Sequence, residues 1–221
     1  MTRRVRRIFV VLSIAVTLAI AMASLAWFNR DWLIARAYIL MLESSGRVED
    51  LQIDRVIDIL GIEPGTTVAD IGAGTGVFTR PFAVALNGQG VVYAVDVNDE
   101  LLEHIERTAR EAGLDTVRVV RAAADDPRLP GPVDVIFICD SLHHIDDRDT
   151  YVETLRRYLR PGGRLAIIDF DGNFPHIDPS MQYSTEELDG WLSQAGYEPE
   201  ASYDFIPENF FRIYRCEDCP D

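Results

Sequence analysis

Acids and glycines crowd one short stretch, Val68 to Gly76, which reads VADIGAGTG. Asp70 precedes three glycines at alternate positions, Gly72, Gly74 and Gly76, with Ala73 and Thr75 between them. A backbone that bare admits positive φ and lets a ligand touch the main chain. Placed at the start of a helix, its N–H groups can hold an anion or a carboxylate. The bland alternative is a tight strand-to-helix turn that binds nothing. A second acid, Asp96, closes the next apolar run, VVYAVD, where a carboxylate can accept hydrogen bonds from both hydroxyls of a ribose. Glycine loop and acid together point to an adenosine ligand. The third glycine falls one place early for the GxGxxG of a dinucleotide. That spacing suits a compact cofactor better than a pyrophosphate.

Other residues could do chemistry nearby. His143 and His144, two of four histidines, follow an apolar run ending at Asp140. Neutral imidazole near pH 7 suits a general base. The alternative is that one packs against the following helix and the other is solvated. Asp169 and Asp171 could face a substrate, with His176 beyond them, or all three could be polar loop residues, which is the preferred reading. Phe170, Phe174 and Tyr183 suit an apolar wall or ordinary core. Cys139 sits in an apolar run and reads as a buried small hydrophobe. Cys216 and Cys219 form a CxxC that supplies only two metal ligands, so no metal site is expected. A terminal disulfide is open to them, and a solvated tail is the preferred reading.

The elements that must position these residues alternate along the chain. Helical spacing runs over 29–47, ending at the Ser44-Ser45-Gly46 breaker, and over 49–60, with Gly61 as C-cap. Strands are predicted over 66–71, 91–95, 117–120, 133–139, 164–170, 201–206 and 210–215. Helices are predicted over 77–86, 99–112, 149–159 and 185–195, with Asn98 or Asp99 and Ser184 as caps. Strands separated by helices imply an α/β fold with a mostly parallel sheet, and the last two strands, lacking a helix between them, an antiparallel pairing at an edge. Net charge is −15, which argues against a nucleic-acid partner.

The N-terminus reads differently. Arg3, Arg4, Arg6 and Arg7 precede an uncharged stretch, Ile8 to Phe28. As a helix it would rise about 30 Å, the thickness of a hydrocarbon core. The preferred reading is an uncleaved single-span anchor; a signal segment cut near Ala21-Met22-Ala23 is the alternative. The arginine bias places the following domain outside the cell. The organisation expected is an anchor or signal segment at 1–28, an amphipathic linker helix at 29–47, the main domain at 48–215 and a tail at 216–221.

Four stretches, VADIGAGTG, VVYAVDVN, DDPRLPGPVDVIFICDSLHHI and LRPGGRLAIIDF, in this order and spacing, resemble the motifs of class I S-adenosylmethionine-dependent methyltransferases. The ending, YSTEELDGWLSQAGYEPEASYDFIPENFFRIY, resembles bacterial methyltransferase-domain proteins of unassigned substrate. The resemblance covers roughly residues 48–215. It implies a Rossmann-like, doubly wound, seven-stranded sheet with an antiparallel edge strand, S-adenosylmethionine as cofactor and methyl transfer to a small or lipid-like acceptor. By the same resemblance Asp70 and Gly72, Ala73, Gly74 and Gly76 would hold the methionine moiety, and Asp96 the ribose, with Val97 against the adenine. Asp125 would meet the adenine amine, Asp140 to His144 would line the mouth, and His143 is the favoured base. A cytosolic cofactor favours a cytoplasmic domain, against the arginine bias. Two other readings stand beside this one. One is a membrane-tethered binding domain without turnover. The other is an NAD-type oxidoreductase, which the glycine spacing and the lack of a Tyr-x-x-x-Lys pair disfavour.

Overall fold

The computed structural model describes residues 14–18, 22, 24, 36, 37, 39–170 and 178–219. The chain divides into two units, Met1–Met41 and Leu42–Asp221. In the first, every described residue is helical. The membrane anchor expected over residues 8–28 is corrected: among the described residues no helix is long and apolar enough to cross a membrane. The longest helix of the second unit, Asp99–Glu111, has 13 residues and rises about 20 Å against a hydrocarbon core of about 30 Å. Much of the stretch assigned to the anchor lies outside the described residues. The membrane localisation, and the membrane as a partner, fall with that finding.

The second unit begins with two short helices, α1 (Ser45–Asp50) and α2 (Ile53–Leu60). Alternation then sets in: β1 (Thr67–Ile71), α3 (Thr79–Ala85), β2 (Val91–Asp96), α4 (Asp99–Glu111) and β3 (Val117–Arg121). It continues with β4 (Val133–Cys139), α5 (Arg148–Leu155), β5 (Leu159–Phe170), α6 (Thr185–Gln194), β6 (Glu198–Tyr203) and β7 (Asn209–Cys216). Seven strands form one sheet in the order β3-β2-β1-β4-β5-β7-β6. The first five strands pair in parallel. β7 runs antiparallel to β5 and to β6, so the last two strands do pair antiparallel at an edge, with β7 inserted between β5 and β6.

Strand periodicity explains the layers. Along β4, Val135 and Phe137 face one side with Phe78, Phe82 and Val56, while Ile136 and Ile138 face the other with Val152, Leu155 and Leu188. All four strand residues are buried to 1% exposure or less, and each such side chain is worth about 1.5–3 kcal/mol. A strand buried on both faces reads as a continuous apolar run, as VDVIFIC does. Local signals set the helix ends. Asn98 Oδ1 accepts from the N–H groups of Glu100 and Leu101, and Ser184 with Glu187 closes a reciprocal capping box.

Three expectations are amended. The helix predicted over 49–60 breaks at Gln52, which takes φ 45° while its side-chain amide donates to Phe205 O at 2.9 Å. β5 begins at Leu159, so the Pro161-Gly162-Gly163 turn lies within the strand as an irregularity in its pairing with β4. The tail reading of Cys216 and Cys219 is overturned. Both are buried in the core, at 0% and 5% exposure, and joined as a disulfide.

Candidate active site

In a doubly wound sheet a ligand crevice opens at the carboxyl ends of the strands, where the order reverses. Here the chain runs β1, β2, β3 outward on one side and resumes with β4 on the other side of β1. Asp70, Asp96, Asp140 and Asp169 all lie at or just past the carboxyl ends of β1, β2, β4 and β5. One reversal of strand order gathers acids that are dispersed along the chain.

The glycine loop leaves β1 and crosses the end of β2. Gly72 and Ala73 donate to Val95 O at 2.8 and 3.0 Å. Gly72, Gly74 and Gly76 have φ of 68°, 57° and 79°, the left-handed region that an L side chain resists. Space demands glycine as well. A Cβ on Gly72 would overlap the side chain of Ser141, whose hydroxyl donates to Gly72 O at 3.2 Å. Asp96 Oδ2 accepts from Gly74 N at 2.9 Å, and Oδ1 from Asn98 N at 2.9 Å. Ser141 lies within the Asp140 to His144 stretch expected at the mouth, but nothing local links it to a loop 69 residues earlier.

Asp70 is buried at 3% exposure and accepts from the Thr79 hydroxyl at 2.5 Å. Burial, with the Asp96 charge adding to it and Thr79 opposing, pushes its carboxyl up to about 7. Burial also raises Asp96, against the hydrogen bonds from Asn98 and Gly74. The Thr75 hydroxyl is buried with no partner among the described residues. Beside a side-chain-free loop stand two desolvated acids, whose own charges burial disfavours, and an unpaired hydroxyl. They suit a ligand with positive charge and ribose hydroxyls.

The other expected residues fall as follows. Val97 stands 54% exposed at the end of β2. Asp125 is exposed on the loop after β3, while Asp126 beside it accepts from Tyr158 Oη and Arg128 N, both at 2.7 Å. Asp140, at φ 48°, pairs with Arg47 at 2.7 Å and accepts from Asn209 Nδ2 at 2.6 Å. Arg47 carries no sequence signal for this role, lying 93 residues away. Cys139 is half-buried, and burial pushes its thiol well up, which makes it a poor nucleophile.

His143 and His144 fall on a 3-10 turn, Leu142–His144, with rings 4.1 Å apart. They differ in surroundings. His144 is exposed, and partial desolvation, then His143, holds its pKa below normal. His143 is buried, and its Nδ1 lies 2.7 Å from Asp169 Oδ1. Asp169 is fully buried within β5, which corrects its reading as a loop residue. Phe170 packs 5.1 Å from the His143 ring, and Tyr183 belongs to the buried core. Asp171, Phe174 and His176 lie outside the described residues.

Comparison with known proteins gives this geometry its class. Residues 68–163 match the family model of a methyltransferase domain. A ubiquinone/menaquinone biosynthesis C-methyltransferase UbiE of Vibrio campbellii is 35% identical over 137 residues, 61% of this chain and 52% of that protein. The corresponding protein of Teredinibacter turnerae is 34% identical over 141 residues, 62% of this chain and 56% of that protein. The chain thus spans about half the length of the curated relatives it matches. Among solved structures, a SAM dependent methyltransferase from Aquifex aeolicus superposes with a TM-score of 0.73 at 26% identity, over 81% of this chain and 97% of that one. The magnesium protoporphyrin IX methyltransferase of Synechocystis, solved with bound SAH, shares the fold with a TM-score of 0.67 at 16% identity, over 86% and 96% of the two chains.

Residues 68–163 thus match a methyltransferase domain, and the fold is that of the S-adenosylmethionine-dependent methyltransferases, whose cofactor is S-adenosylmethionine. The residues present fit that group. Its amino and sulfonium charges answer the two desolvated acids, and its ribose answers Asp96.

Proposed function

We propose that this chain transfers a methyl group to a small, quinol-type aromatic acceptor, with His143 as the base. The observation that carries the reading is the joining of Asp70, the Gly72–Gly76 loop and Asp96 at one strand-order reversal. The cofactor, when bound, supplies a sulfonium-activated methyl group. Asp70 and the bare loop would hold its methionine end, Asp96 its ribose, Val97 one face of its adenine and Asp125 the adenine amine. Asp140, at the mouth between loop and histidines, would border both ligands. Holding acceptor and methyl in line can be worth effective molarities of ~10⁵ M or more. An acceptor carbon or hydroxyl that attacks the methyl carries a proton that must leave. His143 would take it, while the S–C bonding pair stays on sulfur; His144, beside it, is the alternative acceptor of that proton. The choice of a quinol rests on the ubiquinone/menaquinone C-methyltransferases among the relatives and on the aromatic edge that Phe170 gives the site.

The test is calorimetric titration of the purified full chain with S-adenosylmethionine and, separately, NAD. A turnover assay then uses methyl-labelled cofactor and 1,4-dihydroxynaphthalene. Micromolar binding of the first cofactor alone, at least tenfold weaker in Asp96→Ala, together with label in the naphthol ring, is the expected result. Label on oxygen would make the hydroxyl, rather than a ring carbon, the acceptor atom. Binding without any label transfer would overturn the quinol-type acceptor.

A further inference from the structure

The buried acid at the end of β5 has a use that a packing role does not explain. Asp169 is fully buried, yet every contact it makes among the described residues brings a donor to it. Phe170 N donates to Oδ1 at 2.9 Å, and His143 N to Oδ2 at 3.1 Å. The Tyr183 hydroxyl donates to Oδ2 at 2.8 Å, and His143 Nδ1 meets Oδ1 at 2.7 Å. Two of the four are backbone N–H groups, which can only donate. Burial, and then Asp169 itself, pushes the Tyr183 phenol far up, so it is protonated and donates as well. A carboxylate ringed by donors is an acceptor, and the proton of the shared bond belongs on His143 Nδ1.

The same network is braced from outside. Arg148, at the start of α5, lies over the Tyr183 ring at 5.3 Å and donates to His143 O at 2.8 Å and Ser180 O at 3.0 Å. The groups facing His143 are therefore Asp169 and Phe170 from β5, Tyr183 ahead of α6, Arg148 from α5 and His144 from its own turn. Among the described residues, Asp169 is the acid bonded to the ring. Free imidazole favours the proton on Nε2, the opposite of what this bond enforces.

We propose that Asp169, oriented by Tyr183, is the positioning residue that fixes His143 as the Nδ1–H tautomer and leaves Nε2 to take the acceptor's proton. This rests on the reading of His143 as the base. In the reaction the acceptor's O–H or C–H proton moves to Nε2, Nδ1–H stays on Asp169, and the imidazolium so formed stands against the carboxylate until it returns the proton to water. A hydrogen-bonded acid that selects the tautomer and stabilises the imidazolium supports general-base catalysis worth ~10²–10⁴-fold.

The experiment is long-range ¹⁵N–¹H correlation spectroscopy of the full chain labelled at its four histidines, without cofactor, near pH 7.5. His143 is assigned by its loss in His143→Gln. The expected spectrum shows His143 protonated at Nδ1, and Asp169→Asn, whose amide can donate, moves the proton to Nε2. Wild-type His143 protonated at Nε2 overturns the proposal, as does an Asp169→Asn protein that keeps Nδ1–H. With 1,4-dihydroxynaphthalene as acceptor, Asp169→Asn is expected to lower kcat ~10²–10⁴-fold with the Kd for S-adenosylmethionine within twofold of wild type. A parallel loss of cofactor affinity would overturn it. If Asp169→Asn fails to fold, Tyr183→Phe serves: it should keep Nδ1–H and lower kcat ~3–10-fold, and unchanged kcat would overturn the orienting role of Tyr183. Failure of the chain to bind S-adenosylmethionine or to methylate the naphthol strikes the proposed function, whereas the tautomer is read without either ligand.

Discussion

Asp70 is the residue at which the site works against the fold, and the conflict has a sign and a size. Its carboxyl has an ordinary value of 3.8 and is raised by burial to about 7. A raised acid contributes stability through its protonated form. That contribution is fully present below the unfolded value, 3.8, and is lost as pH rises through about 7. At 1.36 kcal/mol per pH unit, the raised value costs the folded state about 4 kcal/mol at pH 8, where the acid is charged, but only about 2 kcal/mol at pH 5, where it keeps its proton. Asp70→Asn keeps the shape and an oxygen for the Thr79 hydroxyl, and removes the titration. Its stability relative to wild type should therefore grow by about 2–3 kcal/mol between pH 5 and pH 8, or about 4–12 °C in Tm for a chain of this size. Urea unfolding of both proteins at a series of pH values reads this directly. The wild-type protein should also release about half a proton at pH 7 on binding the cationic cofactor, because the ligand charge favours ionised Asp70. Titration in two buffers of different ionisation enthalpy measures that release. A stability difference that does not change with pH, or an Asp70→Asn protein less stable than wild type at pH 8, would refute the assignment of a desolvated carboxylate.

Gly72→Ala should cost ~1–2 kcal/mol from its left-handed backbone alone. The overlap with Ser141 should add to this and weaken S-adenosylmethionine binding at least tenfold, read by calorimetry. Gly88→Ala, which also sits at positive φ but with open space around it, should carry only the backbone cost and leave binding intact. Ser184→Ala removes the capping box of α6 and should lower stability by ~0.5–2 kcal/mol in denaturant unfolding, with the cofactor Kd unchanged.

Much of the fold is legible along the chain because it is written in local patterns. The β4 range, 133–139, follows from an apolar β-branched run between turn residues, and a strand buried on both faces cannot read otherwise. The cap at Asn98, the left-handed Gly61 and the Ser184 box are each set by residues within four positions of one another. The break at Gln52 was not legible, and the group its side chain meets there, Phe205 O, lies 153 residues away. Nor was the burial of Cys216 and Cys219, which depends on how β7 packs between β5 and β6.

The candidate site divides along the same line. By itself the sequence determined the side-chain-free loop, the acid before it and the acid at the end of the next strand, because backbone freedom and strand ends are local properties. Only the tertiary structure decided which groups meet. It set Arg47 against Asp140, Ser141 beneath Gly72, and Tyr183 and Asp169 behind His143. Those pairings join residues on different strands and turns and, for Arg47, on helix α1. Parallel strands return to the same end of the sheet only after a helix has crossed it, so their partners are remote in sequence and adjacent only once the layers have packed.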